Sequence, residues 1–171
     1  MSISFQKIYL ENFHKQNGAK LSEFAGYNMP INYKTGIINE HKHVRSKTGI
    51  FDVSHMGQIL IPITDHNIYN LEKFIPLDLK TLNINKSYYT FLLNANGGII
   101  DDLILSKLIL YEIEYLYIVY NASRKIIDED IFITNTKHAL ILNDRCLFAV
   151  QGPESYLTLS KIFSIDNDMN F

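Results

Sequence analysis

Between Ser87 and Asn121 the chain carries three apolar and aromatic runs separated by two turn signals. "SYYTFLLN" (87–94) is followed by "ANGG", then by "IIDDLILSKLIL" (99–110), then by "YEIE" and "YLYIVYN" (115–121). Runs of this composition read as strands; the Gly- and Asn-bearing break "ANGG" reads as a hairpin turn, and "YEIE" is read as turning the chain a second time. An antiparallel meander is therefore predicted at the centre of the chain. The middle strand holds two adjacent carboxylates, Asp101 and Asp102.

Neighbours on a strand face opposite ways. Asp102 then shares a side with Ile100, Ile104 and Leu108, and Asp101 shares the other with Ile99, Leu103 and Leu105. Both sides are apolar, so the strand is expected to be covered on both faces, with at least one carboxylate in a partly dry setting. Such a group must find donors, meet a cation or hold a proton. A desolvated Asp exchanges protons near neutrality, and an Asp at the rim of an apolar pocket anchors an N–H or cationic ligand. The plainer alternative folds the Asp back onto the turn amides of Gly97 and Gly98. From the residues alone both readings stand for each Asp.

Around the meander, Phe5, Ile8, Tyr9 and Phe13 recur at helical spacing and predict a helix over 4–16, stopped by "NG". "AKLSEFAGYNMPINY" (19–33) is irregular or extended. Thr35 is placed to cap a helix through about Ser46. "IFDVSHMGQILIPIT" (50–64) reads as strand, bend, strand, with Ile59, Ile61 and Ile63 on one face and Pro62 at a sheet edge. Asp65 is expected to cap a helix through Phe74, and Ser123 to cap "RKIIDEDIF". "HALILND" and "CLFAVQG" add two strands, and Pro153 suits the first residue of a last helix. The class is α+β, an antiparallel sheet with flanking helices. The tail "IDNDMNF" carries no domain-closing signal, so the fold is expected to be incomplete at residue 171.

Composition narrows the function classes. With a net charge of −2 over 171 residues the chain has no nucleic-acid footprint. Its densest basic cluster, "HKHVRSK" (41–47), reads as a solvated helix face. The single cysteine, Cys146, fits a reducing compartment and is expected to be a buried thiol within a strand. No apolar run approaches the roughly 20 residues of a membrane span. The N-terminus resembles neither a signal nor a transit peptide, and a cytoplasmic setting is expected.

Six histidines show no paired zinc spacing, so no metal is expected. Asp52, Ser54 and His55 lie together in "DVSHMG", but triad members converge in space rather than in sequence. There is no G-x-S-x-G, P-loop or G-x-G-x-x-G. Met56 reads as a pocket wall or as core filler, the "SYYTFLL" aromatics as a stacking surface or as core, and Asn121 as a ring-edge partner or as a turn residue.

"GAKLSEFAGYNMPINY", "EHKHVRSKTGIFDVSHMGQILI", "YYTFLLNANGGIIDDLIL", "YLYIVYNASR" and "LFAVQGPES", in this order, resemble the T-protein family of the glycine cleavage system, the aminomethyltransferases. The resemblance runs from about residue 3 to 160, and "FDVSHMG" and "GGIIDDLI" are its most specific pieces. It implies an N-terminal folate-binding region over 1–171. The implied enzyme passes the methylene of an aminomethyl group, carried on the lipoyl arm of H-protein, to tetrahydrofolate and releases ammonia. Tetrahydrofolate and lipoylated H-protein are the implied partners, with no metal, nucleic acid or membrane.

The family's essential aspartate falls on Asp102, and its folate pocket falls on Met56, Leu60, Ile104 and Asn121, with Tyr89 a further candidate for the same wall. Asp101 becomes the structural partner, tied to turn amides. Two departures stand out. Ser106 occupies a place where the family often has an aromatic. The family's later part, which supplies an acid and an arginine to grip folate, has no counterpart here, so the chain reads as a fragment or as half of a split enzyme. The resemblance leaves two neighbouring readings: a folate-dependent demethylating domain of the dimethylglycine or sarcosine type, and a non-catalytic folate-binding scaffold.

Overall fold

A computed structural model describes residues 5–164. The expectation about the tail at 165–171 lies outside them. The chain divides into two compact units, Met1–Ser54 with Cys146–Phe171, and His55–Arg145.

The first unit opens with β1 (Gln6–Lys7), α1 (Glu11–Gln16), β2 (Lys20–Phe24), β3 (Tyr27–Asn32), α2 (Ile37–Ser46) and β4 (Gly49–Asp52). β2 and β3 form a hairpin in which Phe24 faces Tyr27. Ala25 and Gly26 between them have φ of 51° and 83°, the left-handed pair that a two-residue turn demands. β1 pairs with β3 in parallel. That pairing overrides the helix predicted over 4–16. With Gln6 and Lys7 committed to a sheet, helix begins only at Glu11, and Tyr9 and Phe13 stay 88% and 56% exposed. α2 starts from Gly36 rather than on a Thr35 cap, because the Thr35 hydroxyl donates instead to Glu40 Oε1 at 2.9 Å. No α2 residue is buried, which fits a solvated basic face.

The second unit contains β5 (Gly57–Pro62), α3 (Asp65–Leu71), β6 (Ser87–Leu93), β7 (Ile99–Leu110), β8 (Ile113–Tyr120), a 3₁₀ turn at Ala122–Arg124, α4 (Lys125–Asn135) and β9 (Leu140–Ile141). Its strands form one sheet in the order β6-β7-β8-β5-β9, every pair antiparallel. The predicted meander is present, and its second turn sets Tyr111 and Glu112 at φ 50° and 65°. Pro62 pairs with Tyr115 on one side, while β9 reaches only Ile59 and Leu60 on the other. The missing N–H of Pro62 therefore falls at a local edge. α3 is capped by Thr64, whose hydroxyl accepts the Asn67 N–H at 3.2 Å. Asp65 is the first helical residue instead, where its charge suits the helix dipole. Ser123 does not cap α4, because the 3₁₀ turn already occupies it.

The core lies on one face of this sheet. Ile59, Ile61, Leu103, Leu105, Leu116 and Ile118 pack there with Ile68 and Leu71 of α3 and Phe132 of α4. Each such buried side chain contributes about 1.5–3 kcal/mol.

Back in the first unit, β10 (Phe148–Gln151) pairs with β4, and α5 (Ser155–Leu159) follows. The helix starts two residues after Pro153 rather than on it. Cys146 lies outside β10 and is half-buried, so it is not the enclosed strand thiol expected. The class is α+β, as the order of elements predicts.

Candidate functional site

β-strand alternation sorts the meander into two faces. The face opposite the core carries Tyr89 next to Ile104, Phe91 next to Asp102, Ile104 next to Val119, and Leu60 next to Tyr117. Asn121 follows β8 at the level of Asp102, because the preceding pair is Leu103 with Tyr120. Met56 reaches the same end of the sheet, because Gly57 pairs with Tyr120. All six sequence-proposed residues thus gather on one face and its rim. Leu60 is buried there, Met56 and Asn121 are half-buried, and Tyr89 and Ile104 are 66% and 48% exposed.

The expectation that both faces of β7 are covered is corrected. Helices α3 and α4 cover the core face, and Asp102 on the other is exposed. The dry carboxylate is Asp101, only 7% exposed. A β-bulge produces part of this arrangement. Leu92 pairs with Asp101 but Leu93 pairs with Ile99, so Ile100 is the extra residue and strict alternation breaks. Ile99 therefore does not share a side with Asp101, and it is 63% exposed.

Asp101 is not tied to the turn amides. Asn94 takes that role, its Oδ1 accepting the N–H groups of Asn96 and Gly98, both at 2.9 Å. Asp101 instead accepts two bonds from one residue: the Asn121 backbone N–H at 3.1 Å and its Nδ2 at 2.9 Å. The same Nδ2 reaches Asp102 Oδ1 at 3.1 Å and the Asp102 carbonyl at 3.3 Å. Every partner of this amide nitrogen is an acceptor, which fixes NH₂ toward the two aspartates and Oδ1 away from them. The Tyr89 hydroxyl is raised above its ordinary range, first by desolvation and then by the charge of Asp102 and a hydrogen bond to it.

Two features escaped the sequence reading. Asp128 of α4 is wholly buried, and burial first, then contact with Asp101, pushes its carboxyl up to about 8. The available signal was its spacing, four residues before buried Phe132 and so on the core stripe of a helix. The other is Gly57, the glycine of "SHMG", which the ring of Tyr120 lies against. Tyr120 in turn donates to Glu129 Oε1 at 2.8 Å.

Chemically, the outward face offers an open carboxylate, an amide oriented as an acceptor, a phenol and an aliphatic wall. That set suits a flat heterocycle with an N–H edge. Among the described residues no group of three or more His, Cys, Asp or Glu is placed to hold a metal ion, and no helix is long and apolar enough to cross a membrane.

A family model described as the GCVT N-terminal domain matches residues 10–171. The mitochondrial aminomethyltransferase of Dictyostelium discoideum is 36% identical over 98% of this chain and 43% of its own length. The aminomethyltransferase of Chloroherpeton thalassium is 36% identical over 93% and 44%. Among solved structures, the glycine cleavage system aminomethyltransferase T from Bartonella henselae superposes with a TM-score of 0.86 at 34% identity, covering 98% of this chain and 46% of that one. The chain spans less than half the length of these relatives.

Proposed function

From the premise that this chain belongs to the family of the GCVT N-terminal domain, we propose that it is the folate-binding part of an aminomethyltransferase of the glycine cleavage system. The reaction moves a methylene from aminomethyl-dihydrolipoyl H-protein to tetrahydrofolate. The carbon loses its bonds to the amine nitrogen and to the lipoyl sulfur and gains two bonds to folate nitrogens. The two folate N–H protons leave with ammonia and with the thiol. No metal takes part in this reading, and the single cysteine is what supports a cytoplasmic setting.

Asp102 is the catalytic residue in this proposal. Its exposure removes the argument from a dry, proton-holding carboxyl that the sequence suggested. What remains is an anion that accepts a proton from the folate N–H edge and favours positive charge at an iminium-like carbon. Asn121 presents Oδ1 to the ring edge, and Met56, Leu60, Tyr89 and Ile104 form the wall. The observation that carries the reading is the sharing of one sheet face by Leu60, Tyr89, Asp102 and Ile104, with Asn121 bonded to Asp102.

The test is methylenetetrahydrofolate formation with lipoylated H-protein. The chain alone is expected to bind folate weakly and turn over little; paired with the C-terminal half of a relative it is expected to become active, and Asp102→Asn to keep binding and lose turnover. A well-folded reconstituted protein with Asp102 intact and no turnover contradicts the proposal. Folate binding without turnover in either form favours a scaffold, and turnover without any H-protein requirement favours a demethylating relative.

A further inference from the structure

Asp128 sits on the buried face of α4 with no solvent access, and neither of its carboxylate oxygens meets a hydrogen-bond donor among the described residues. The polar group it does meet is another carboxylate, that of Asp101 from β7. Two buried carboxylates in contact disfavour double ionisation, and one proton between them turns repulsion into an O–H···O bond. Their surroundings decide which of them holds it. Asp101 accepts two N–H bonds from Asn121, one at each oxygen. Asp128 has no such donor, so the proton belongs to Asp128. Arg124 of the 3₁₀ turn favours the charged form of Asp128, whereas Asp101 of β7 and Glu129 of α4 oppose it. Burial outweighs Arg124, and the carboxyl is pushed up to about 8.

We propose that Asp128 is a proton-holding positioning residue: its O–H donates to Asp101, keeps Asp101 a pure acceptor, and so locks the Asn121 amide with NH₂ toward Asp101 and Asp102 and Oδ1 toward the ligand side. With the proton on Asp101 instead, the O–H would bond Asn121 Oδ1 and the amide would turn over, offering its NH₂ outward. The location of one buried proton thus selects which ring edge the site accepts. As found, it takes a ligand that presents N–H, which matches a reduced pterin and disfavours an isosteric ring presenting a bare acceptor nitrogen. This deepens the folate reading and rests on it for the identity of the ligand.

The test pairs infrared difference spectra of the full chain with tetrahydrofolate titrations. Wild type minus Asp128→Asn is expected to show the C=O stretch of a neutral carboxylic acid at neutral pH, disappearing as pH rises through about 8. Asp128→Asn keeps an N–H donor toward Asp101, so its folate affinity should stay within about threefold of wild type but lose the decline above that pH. Asp128→Leu has no donor and should bind about tenfold more weakly. The infrared band is read on wild type, so the assignment stays testable if the Leu variant does not fold. Absence of the neutral-acid band, or equal loss of affinity in the Asn and Leu variants, overturns the proposal. A clear band in a protein that does not bind tetrahydrofolate upholds the buried proton and counts against the folate reading alone.

Discussion

The ring of Tyr120 occupies the space beside Gly57 that a side chain would need. A Cβ built at Gly57 would stand 1.9 Å from Tyr120 Cε2, far inside any non-bonded carbon–carbon contact. Tyr120 cannot yield easily, because it is wholly buried, tilts against Phe132 at 5.7 Å and donates to Glu129. Gly57→Ala is therefore expected to destabilise the chain by about 2–4 kcal/mol through overpacking. Urea unfolding measures this, and a change under about 0.5 kcal/mol would show that the ring has room to move.

The two adjacent aspartates should separate folding from chemistry. Asp101→Asn replaces one of the two acceptor oxygens that hold Asn121 with an NH₂ donor and is expected to cost about 1–3 kcal/mol. Asp102→Asn changes an exposed side chain and should leave stability within about 0.5 kcal/mol while abolishing methylene transfer in the reconstituted enzyme. Thermal unfolding of both variants beside single-turnover transfer gives the comparison. Similar stability losses in the two contradict the assignment of burial.

Asp128 makes stability depend on pH with a definite sign. Its carboxyl is raised in the fold, so in the window from the ordinary carboxylate range near 4 up to about 8 the unfolded chain has lost a proton that the folded chain keeps. Stability attributable to this group is fully present below that window and declines across it, by at most about 1.4 kcal/mol per pH unit. Asp128→Asn removes the decline, so the variant should gain on wild type steadily from about pH 5 to about pH 8. Guanidinium midpoints across that range test it, and a constant difference would mean that Asp128 ionises normally.

In the first unit, His14 bridges two distant parts of the chain. Its Nε2 meets Asp52 Oδ2 at 2.9 Å and its Nδ1 meets the Tyr33 hydroxyl at 2.7 Å, with the His14 and Asp52 side chains 6% and 1% exposed. Removing one member leaves the other's buried hydrogen-bonding atom unsatisfied, so Asp52→Ala and His14→Ala should each cost about 1–3 kcal/mol. The double variant should lose less than their sum, as a double-mutant cycle by urea unfolding would show.

The meander was legible because its signals are local: three β-rich runs and, between the first two, a turn whose Gly97 takes the left-handed conformation at φ 76°; the second turn puts Tyr111 and Glu112 there without such a signal. The helix starts were misread where a nearer option won. Thr64 outcompeted Asp65 as a cap, Gly36 replaced Thr35, and sheet pairing at Gln6–Lys7 consumed half of a predicted helix. The site was legible as a set of residues, since period-two spacing puts Asp102 and Ile104 on one face. Its burial was not, because apolar residues on both sides of β7 do not say which side the helices cover. Asp128 was missed for a related reason: one of three consecutive acids in "IIDED" reads as surface until a second buried carboxylate is found across from it.

The central claim is that the open face of the meander is where the reduced pterin sits. Methyl-resolved NMR of the chain, titrated with tetrahydrofolate, tests this most directly. Saturable shifts centred on the methyl groups of Met56, Leu60 and Ile104, weakened by Ile104→Glu, are the predicted result. Shifts confined to Ile31, Val44 and Ile50, which line a cavity of about 610 Å³ in the first unit, with Ile104 unmoved, would contradict it.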